Sequence, residues 1–460
     1  MKKSPLAIMM ILGIFIITSC SKDAENKVNW DVPQLQSNQS LTSEEFLALQ
    51  VKVNGSAIPY DEALKLYKDI LPLTKGEQIN DWHYEKTLFI SIQSKISTKS
   101  LGTEEEKIPV YVIKIGDIHS LVSGDRRVKG VLAEIENYND DKAFEDDGIN
   151  FFYKGLQIYM EKEINKFNNH YDSILLSASN KLSALTKSGN LDDSPMWLTT
   201  TSCVLRDEEM PNVIRVAWGQ EEPHNKTLKK VTDNNDNLVL PPTGCTNVAL
   251  AQIMSYYKYP TVYDYEDTTY IFDWNGMTNN TLAKDLREPY QTQVADLMKL
   301  LGKRCKTKYY YNRGRTYVDN IQPALKKMNY SSQRESYSFY SVRSSLMDNK
   351  LVYMRGAYYD ENNDRHTHGF VLCGYKSKQI QYIDRVYKYI GGESGNPNEL
   401  NNRDWELFSE DISITESNSV YINWGGYGYN DGFFISNSYD IPNNEYNLQV
   451  LTFTNIAPLQ

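Results

Sequence analysis

The sequence predicts an α+β protein built from two successive units. Three observations carry this reading: apolar runs bounded by charge and glycine at residues 87–137, a helix-forming stretch over 148–187, and a second series of such runs beyond residue 350, behind an apolar helix that starts near residue 245. The polar stretch SGNLDDSP, Ser188 to Pro195, separates the units and reads as an exposed linker. A chain of 460 residues, 40% hydrophobic and 23% charged, is long enough for two or three domains with real cores. Its formal net charge of -10 offers no basic face for phosphate neutralisation, so no nucleic-acid partner is expected.

The chain opens with MKKSPLAIMMILGIFIITSC, in which Lys2 and Lys3 precede an apolar run from Leu6 to Ile17. That run is short for a membrane span and suits a secretory signal. Its end, Ile-Thr-Ser-Cys, resembles a bacterial lipobox. The resemblance implies a signal peptide over residues 1–19, acylation at Cys20, a polar tether over 20–40 and an exported protein held to a membrane by lipid. Ser21 favours the outer membrane of a Gram-negative cell.

The first unit spans residues 41–195. SEEFLALQ and YDEALKLYKDIL read as amphipathic helices, and TLFISIQ, IPVYVIKIG and GVLAEIEN as strands. Residues 148–187 suit one or two helices. The second unit, 196–460, opens in loops rich in Pro, Asn and charge, has helices after Cys245 and near 291–301, and ends in LVYMRGAYY, HGFVLCGY, QIQYIDRVYKYI, SVYINWG and DGFFISN. Turn residues between these runs suggest an antiparallel sheet.

Chemistry concentrates at PPTGCTNVALAQIMSYYKYP, residues 241–260. Pro241 and Pro242 exclude a preceding helix, Gly244 leaves room for a substrate backbone, and Leu250, Ile253, Met254 and Tyr257 follow helical spacing. Cys245 therefore stands at the mouth of a buried helix, where free backbone N–H groups favour a thiolate. Of the five cysteines, Cys20 is assigned to lipid, and positions 203, 245, 305 and 373 have neither CxxC pairing nor metal spacing. No cofactor or metal is expected.

A thiolate needs a base, and the chain has six histidines. His366 and His368 precede the apolar strand GFVLCGY; their HxH spacing suits a metal, but no third ligand accompanies it. Asn423, in VYINWGGYGYNDGFF, is a candidate to fix the tautomer of such a base, and Trp424 to shield it from water.

Three segments together resemble the streptopain family of papain-like cysteine peptidases: AWGQEEPHN at 217–225, TGCTNVALAQIMSYYKYP at 243–260, and HGFVLCGY at 368–375 followed by NWGGYGYNDGFF at 423–434. The resemblance covers 200–437, and the first unit resembles that family's propeptide. It implies a papain-like fold, with a helical part carrying Cys245 as nucleophile and an antiparallel sheet carrying His368 as its partner and Asn423 to orient that histidine. Gln220 would be a donor to the oxyanion, and Trp424 a supporting residue. It further implies protein or peptide substrates, an apolar preference two residues before the cleaved bond, and a first unit that inhibits by packing across the cleft until it is cut away, with release of the enzyme.

This chain departs from the family pattern in three places. It has Asn423-Trp424-Gly425-Gly426-Tyr427-Gly428 where a second tryptophan is usual. His224 stands where the family often has tyrosine. The segment between His368 and Asn423 is long, with a polar insert around GGESGNPNELNNRDW expected to narrow substrate access. Two other classes share parts of the pattern. A papain-like acyltransferase normally has an acid where Asn423 stands, and a catalytically silent surface binding protein would have lost Gln220, Cys245 or His368.

Overall fold

The structure, a computed structural model, describes residues 41–71, 82–95, 103–139, 147–185, 196–360, 362–389, 405–440 and 448–459. The expected signal peptide, Cys20, the tether, the SGNLDDSP linker and most of the polar insert lie outside these residues.

The first unit begins with helix α1, Ser43–Asn54, whose start is set by a capping box: Thr42 accepts from the Glu45 N–H while the Glu45 carboxylate accepts from the Thr42 N–H. Helix α2, Tyr60–Tyr67, follows. Strands β1 (Trp82–Lys95), β2 (Thr103–Ile115), β3 (Ile118–Ser123) and β4 (Val131–Glu136) form an antiparallel meander. The 148–187 stretch is one helix, α3, Asp147–Leu185.

The second unit opens not in loops but in a long strand, β5, Met196–Met210. Two short hairpins, β6 with β7 (Val231–Thr232, Leu238–Val239) and β8 with β9 (Val262–Tyr265, Thr268–Ile271), flank helix α4, Cys245–Tyr257. Helix α5, Tyr290–Arg304, packs on α4 and leads to a third hairpin, β10 (Lys308–Tyr310) with β11 (Arg313–Arg315). The sheet strands are β12 (Tyr330–Glu335), β13 (Leu351–Tyr359), β14 (Arg365–Tyr389), β15 (Trp405–Asn423), β16 (Gly432–Ile435) and β17 (Gln449–Pro458).

One antiparallel sheet runs through both units in the order β1-β2-β3-β4-β16-β15-β14-β13-β17-β12, with β5 added to the far half of β14. Phe434 on β16 pairs with Ala133 on β4, so the first unit joins the second by strand addition. A single apolar core crosses the junction and contains Phe151, Phe152 and Leu156 of α3 together with Phe370, Phe434 and Tyr439. The distal halves of β14 and β15 with β5 form an arm that the first unit covers: Ile380 and Tyr382 pack with Leu66 and Tyr67, and Leu198 and Val386 with Phe46 and Leu49.

HGFVLCGY and QIQYIDRVYKYI thus belong to one strand, and the long segment after His368 becomes this arm. None of the arm's described residues lines the cleft near Cys245.

Candidate active site

Helix α4 is buried over nearly its whole length, and Gly244 at its N-cap has φ 92°, a left-handed conformation that glycine adopts without strain. A Cβ there would also meet the carbonyl oxygen of Gly314 at 2.9 Å, so the β10–β11 hairpin closes directly on the turn that presents Cys245. The Cys245 thiol is aimed out of the helix mouth into a cleft of about 840 Å³ lined by Gln220, His368, Gly369 and Tyr427, among others.

His368 comes from the start of β14, where it pairs with Gly356 of β13. The register of β14 against β15 sets Val371 opposite Asn423, which carries the chain beyond Asn423 back toward His368. There His368 Nε2 donates to the carbonyl oxygen of Trp424 at 2.8 Å. A carbonyl only accepts, so this bond places the proton on Nε2 and leaves Nδ1 for the thiol.

Burial alone would push the Cys245 thiol up. The side-chain hydrogen bond and charge of His368, the Gly369 N–H at 3.3 Å and the Arg355 guanidinium outweigh it and hold the thiol below its ordinary value. The other free cysteines among the described residues behave oppositely: burial pushes Cys305 up to about 12 and raises Cys373 as well.

Asn423 is close to this pair but is bonded elsewhere. Its Oδ1 accepts from Gln252 Nε2 at 2.9 Å and from the Gly425 N–H at 3.0 Å, and its Nδ2 donates to the Val216 carbonyl at 3.4 Å. The expected orienting contact is therefore made by the backbone next to Asn423, whose amide fixes the turn that holds the Trp424 carbonyl. Trp424 is fully buried. Its backbone N–H donates to Asp431 Oδ1 at 2.8 Å, its indole N–H donates to the Asn430 carbonyl at 3.0 Å, and its ring packs on Phe370 and Phe434.

Gln252, which sequence reasoning passed over, links three parts of the site. Its Oε1 accepts from the Trp218 N–H at 3.2 Å while its Nε2 holds Asn423. The signal was a single amide within VALAQIM: a buried glutamine in an apolar helix must find partners.

Gln220 lies on the cleft wall beside Cys245, and its carbonyl oxygen accepts from the Thr243 N–H at 3.0 Å. His224 supports that loop. The Gly219 N–H donates to its Nε2 at 3.4 Å, its Nδ1 lies 2.9 Å from the Glu221 carbonyl, and burial lowers its pKa to about 4, so it is neutral and internally bonded. Tyr427 packs against this loop, its ring 5.8 Å from that of His224. Its hydroxyl accepts from the Glu221 N–H at 2.9 Å, and its ring would be within 2.5 Å of any Cβ on Gly219.

His366 turns to other partners, lying 3.0 Å from Asp360 Oδ2 and stacking on Tyr358. Among the described residues, no group of three His, Cys, Asp or Glu side chains is placed to hold a metal, and no helix is long and apolar enough to cross a membrane.

A helix mouth that lowers a thiol thus faces a sheet that holds an imidazole in one tautomer, and Gln220, Cys245, His368 and Asn423 follow one another in that chain order. The sequence model of the Peptidase C10 family, the streptopain family, matches residues 218–391, and this match marks the segment as a cysteine-type peptidase. Two solved structures are similar. A mutant fragment of prointerpain A from Prevotella intermedia is 16% identical, with TM-score 0.45, over 80% of this chain and 98% of that one. Active wild-type interpain A, a cysteine protease of the same organism, is 19% identical, with TM-score 0.36, over 53% of this chain and 94% of that one. No curated protein matches the chain.

Proposed function

We propose that the protein is a cysteine endopeptidase in which Cys245 attacks the scissile carbonyl and His368 holds the thiolate and then protonates the leaving amine. The observation that carries this reading is the lowered Cys245 thiol, hydrogen-bonded to His368 and to the Gly369 N–H. Gln220 and the Cys245 N–H would donate to the oxyanion, a role whose loss typically costs about 2.7 to 4 kcal/mol in the barrier. Asn423 acts through the Trp424 carbonyl. Cys245→Ala abolishes peptide hydrolysis and His368→Ala nearly does so; turnover retained in Cys245→Ala and lost in Cys373→Ala contradicts the assignment.

The same reading makes the chain a precursor, with the first unit removed by cutting near residues 188–205. It is supported by the placement of every candidate catalytic residue after position 217 and by the polar linker, a preferred site of nicking. Inhibition by packing across the cleft has no support among the described residues, because every lining residue lies between Gln220 and Tyr429. A second reading, a permanent supporting domain, is favoured by the shared sheet and core. A chain starting at Ser21 decides between them. Self-shortening that needs Cys245 and raises activity supports the precursor, and full activity of the uncut chain supports the permanent domain.

Membrane attachment through Cys20 is proposed from the lipobox resemblance alone. Cys20→Ser then removes lipid label and shifts the protein out of the membrane fraction, and unchanged membrane association of an unlabelled protein contradicts it.

A further inference from the structure

Arg355 helps to lower the Cys245 thiol, but the walls of the cleft carry more positive charge than that one guanidinium. Four of the lining residues are arginines, Arg313, Arg315, Arg355 and Arg365, against two carboxylates, Glu221 and Asp364. The chain as a whole has a net charge of -10, so the cleft reverses the sign of the molecule around Cys245.

These arginines are set by the fold. Arg313 and Arg315 flank Gly314, whose contact with Gly244 pins the hairpin beside the nucleophile. Both are exposed, Arg313 with its guanidinium 5.5 Å from the Tyr310 ring and Arg315 with its guanidinium 5.0 Å from the Tyr317 ring. Arg355, half-buried on β13, donates to the Thr316 carbonyl at 2.8 Å, and Arg365 donates to Gln449 Oε1 at 2.9 Å. Among the described residues their partners are one carbonyl, one amide and two aromatic rings, and none of the four pairs with a carboxylate. Asp360, in the turn between β13 and β14, lies 3.0 Å from His366 Nε2.

We propose that the cleft selects acidic peptides, with Arg313, Arg315, Arg355 and Arg365 receiving Asp or Glu side chains within a few residues of the scissile bond. The proposal rests on the peptidase reading above. A guanidinium presents a planar fork that matches a carboxylate in a way an ammonium does not, and it stays charged throughout the working pH range. Charges this close to the bond act within one screening length, so the negative remainder of the molecule does not cancel them.

The test uses the active enzyme and three matched peptides that share an apolar residue two positions before the bond and differ only in flanking Glu, Gln or Lys. The Glu peptide is cut with kcat/KM about tenfold above its Gln twin at low salt, more above the Lys twin, and the gap closes in molar salt. Arg313→Glu with Arg315→Glu shifts the preference toward the Lys peptide, an outcome that misfolding does not produce. Equal kcat/KM for all three peptides in the wild type, or an equal fall for all three in the charge-reversed variant, overturns the proposal. If none is cut and Cys245 takes no label, the peptidase reading falls with it.

Discussion

His368 Nε2 lies 2.8 Å from the carbonyl oxygen of Trp424, while the Asn423 side chain, one residue earlier, is held by Gln252 of helix α4. The His368 imidazole is thus oriented by backbone, and the backbone by a buried amide pair. A carbonyl cannot be deleted by mutation, so the device is tested through the residues that fix it.

Asn423→Ala and Gln252→Ala each strand a buried partner, at a cost of about 1–3 kcal/mol in stability. Each lowers kcat more than it raises KM, because the thiol–imidazole geometry loosens while the cleft walls remain. The double variant is less impaired than the sum of the two single ones, since both lose the shared Gln252–Asn423 bond. Kinetics of the three proteins checks this; wild-type kcat in Asn423→Ala contradicts it.

His224 supplies a pH dependence with a definite sign. Its folded value of about 4 lies below the ordinary 6.5 because burial disfavours the imidazolium. Between these values the unfolded chain binds a proton that the folded chain refuses, so stability falls as pH drops through this window and levels off beneath it. The loss is roughly 3 kcal/mol. Urea unfolding across that window should show the slope in the wild type and a shallower one in His224→Gln.

Lys376 and Glu134 form a buried ion pair between β14 and β4, with Glu209 at 3.7 Å and the Phe433 ring 4.1 Å from the ammonium. Glu134→Ala leaves Lys376 buried with only a partly exposed partner and costs roughly 3 kcal/mol. Glu134→Leu with Lys376→Met regains most of it, because an apolar pair of similar volume needs no desolvation. Denaturant midpoints of both variants decide; an unchanged midpoint in Glu134→Ala contradicts the pair's place in the junction.

Phe151 and Phe152 of α3 pack against Phe370 and Phe434, which in turn flank Trp424. Phe151→Ala should cost about 3–5 kcal/mol and lower kcat, because the aromatic cluster behind His368 spans both units. A loss of stability with kcat unchanged in the folded fraction would confine the first unit to a covering role.

The parts legible in sequence are those with local causes. Cys245 stood out because glycine and two prolines precede an apolar helix, and the strands around His368 and Asn423 because they are apolar and bounded by turn residues. Gln252 stayed hidden because its partners are 34 and 171 residues away in sequence. The strand β5 reads as a polar loop because only Leu198 of its residues is buried; its pairing with β14 makes it a strand. The junction of the two units was invisible because β4 and β16 are joined by backbone hydrogen bonds, which composition does not record.

Cys245 is proposed as the nucleophile, made reactive by its helix mouth and by His368. The most direct test of this role is labelling of the active enzyme with an epoxide inhibitor of cysteine peptidases, followed by peptide mapping. One label per chain at Cys245, lost in His368→Ala and matched by loss of hydrolysis, is the result expected. Label at Cys305 or Cys373, or hydrolysis that persists after Cys245 is fully labelled, would contradict it.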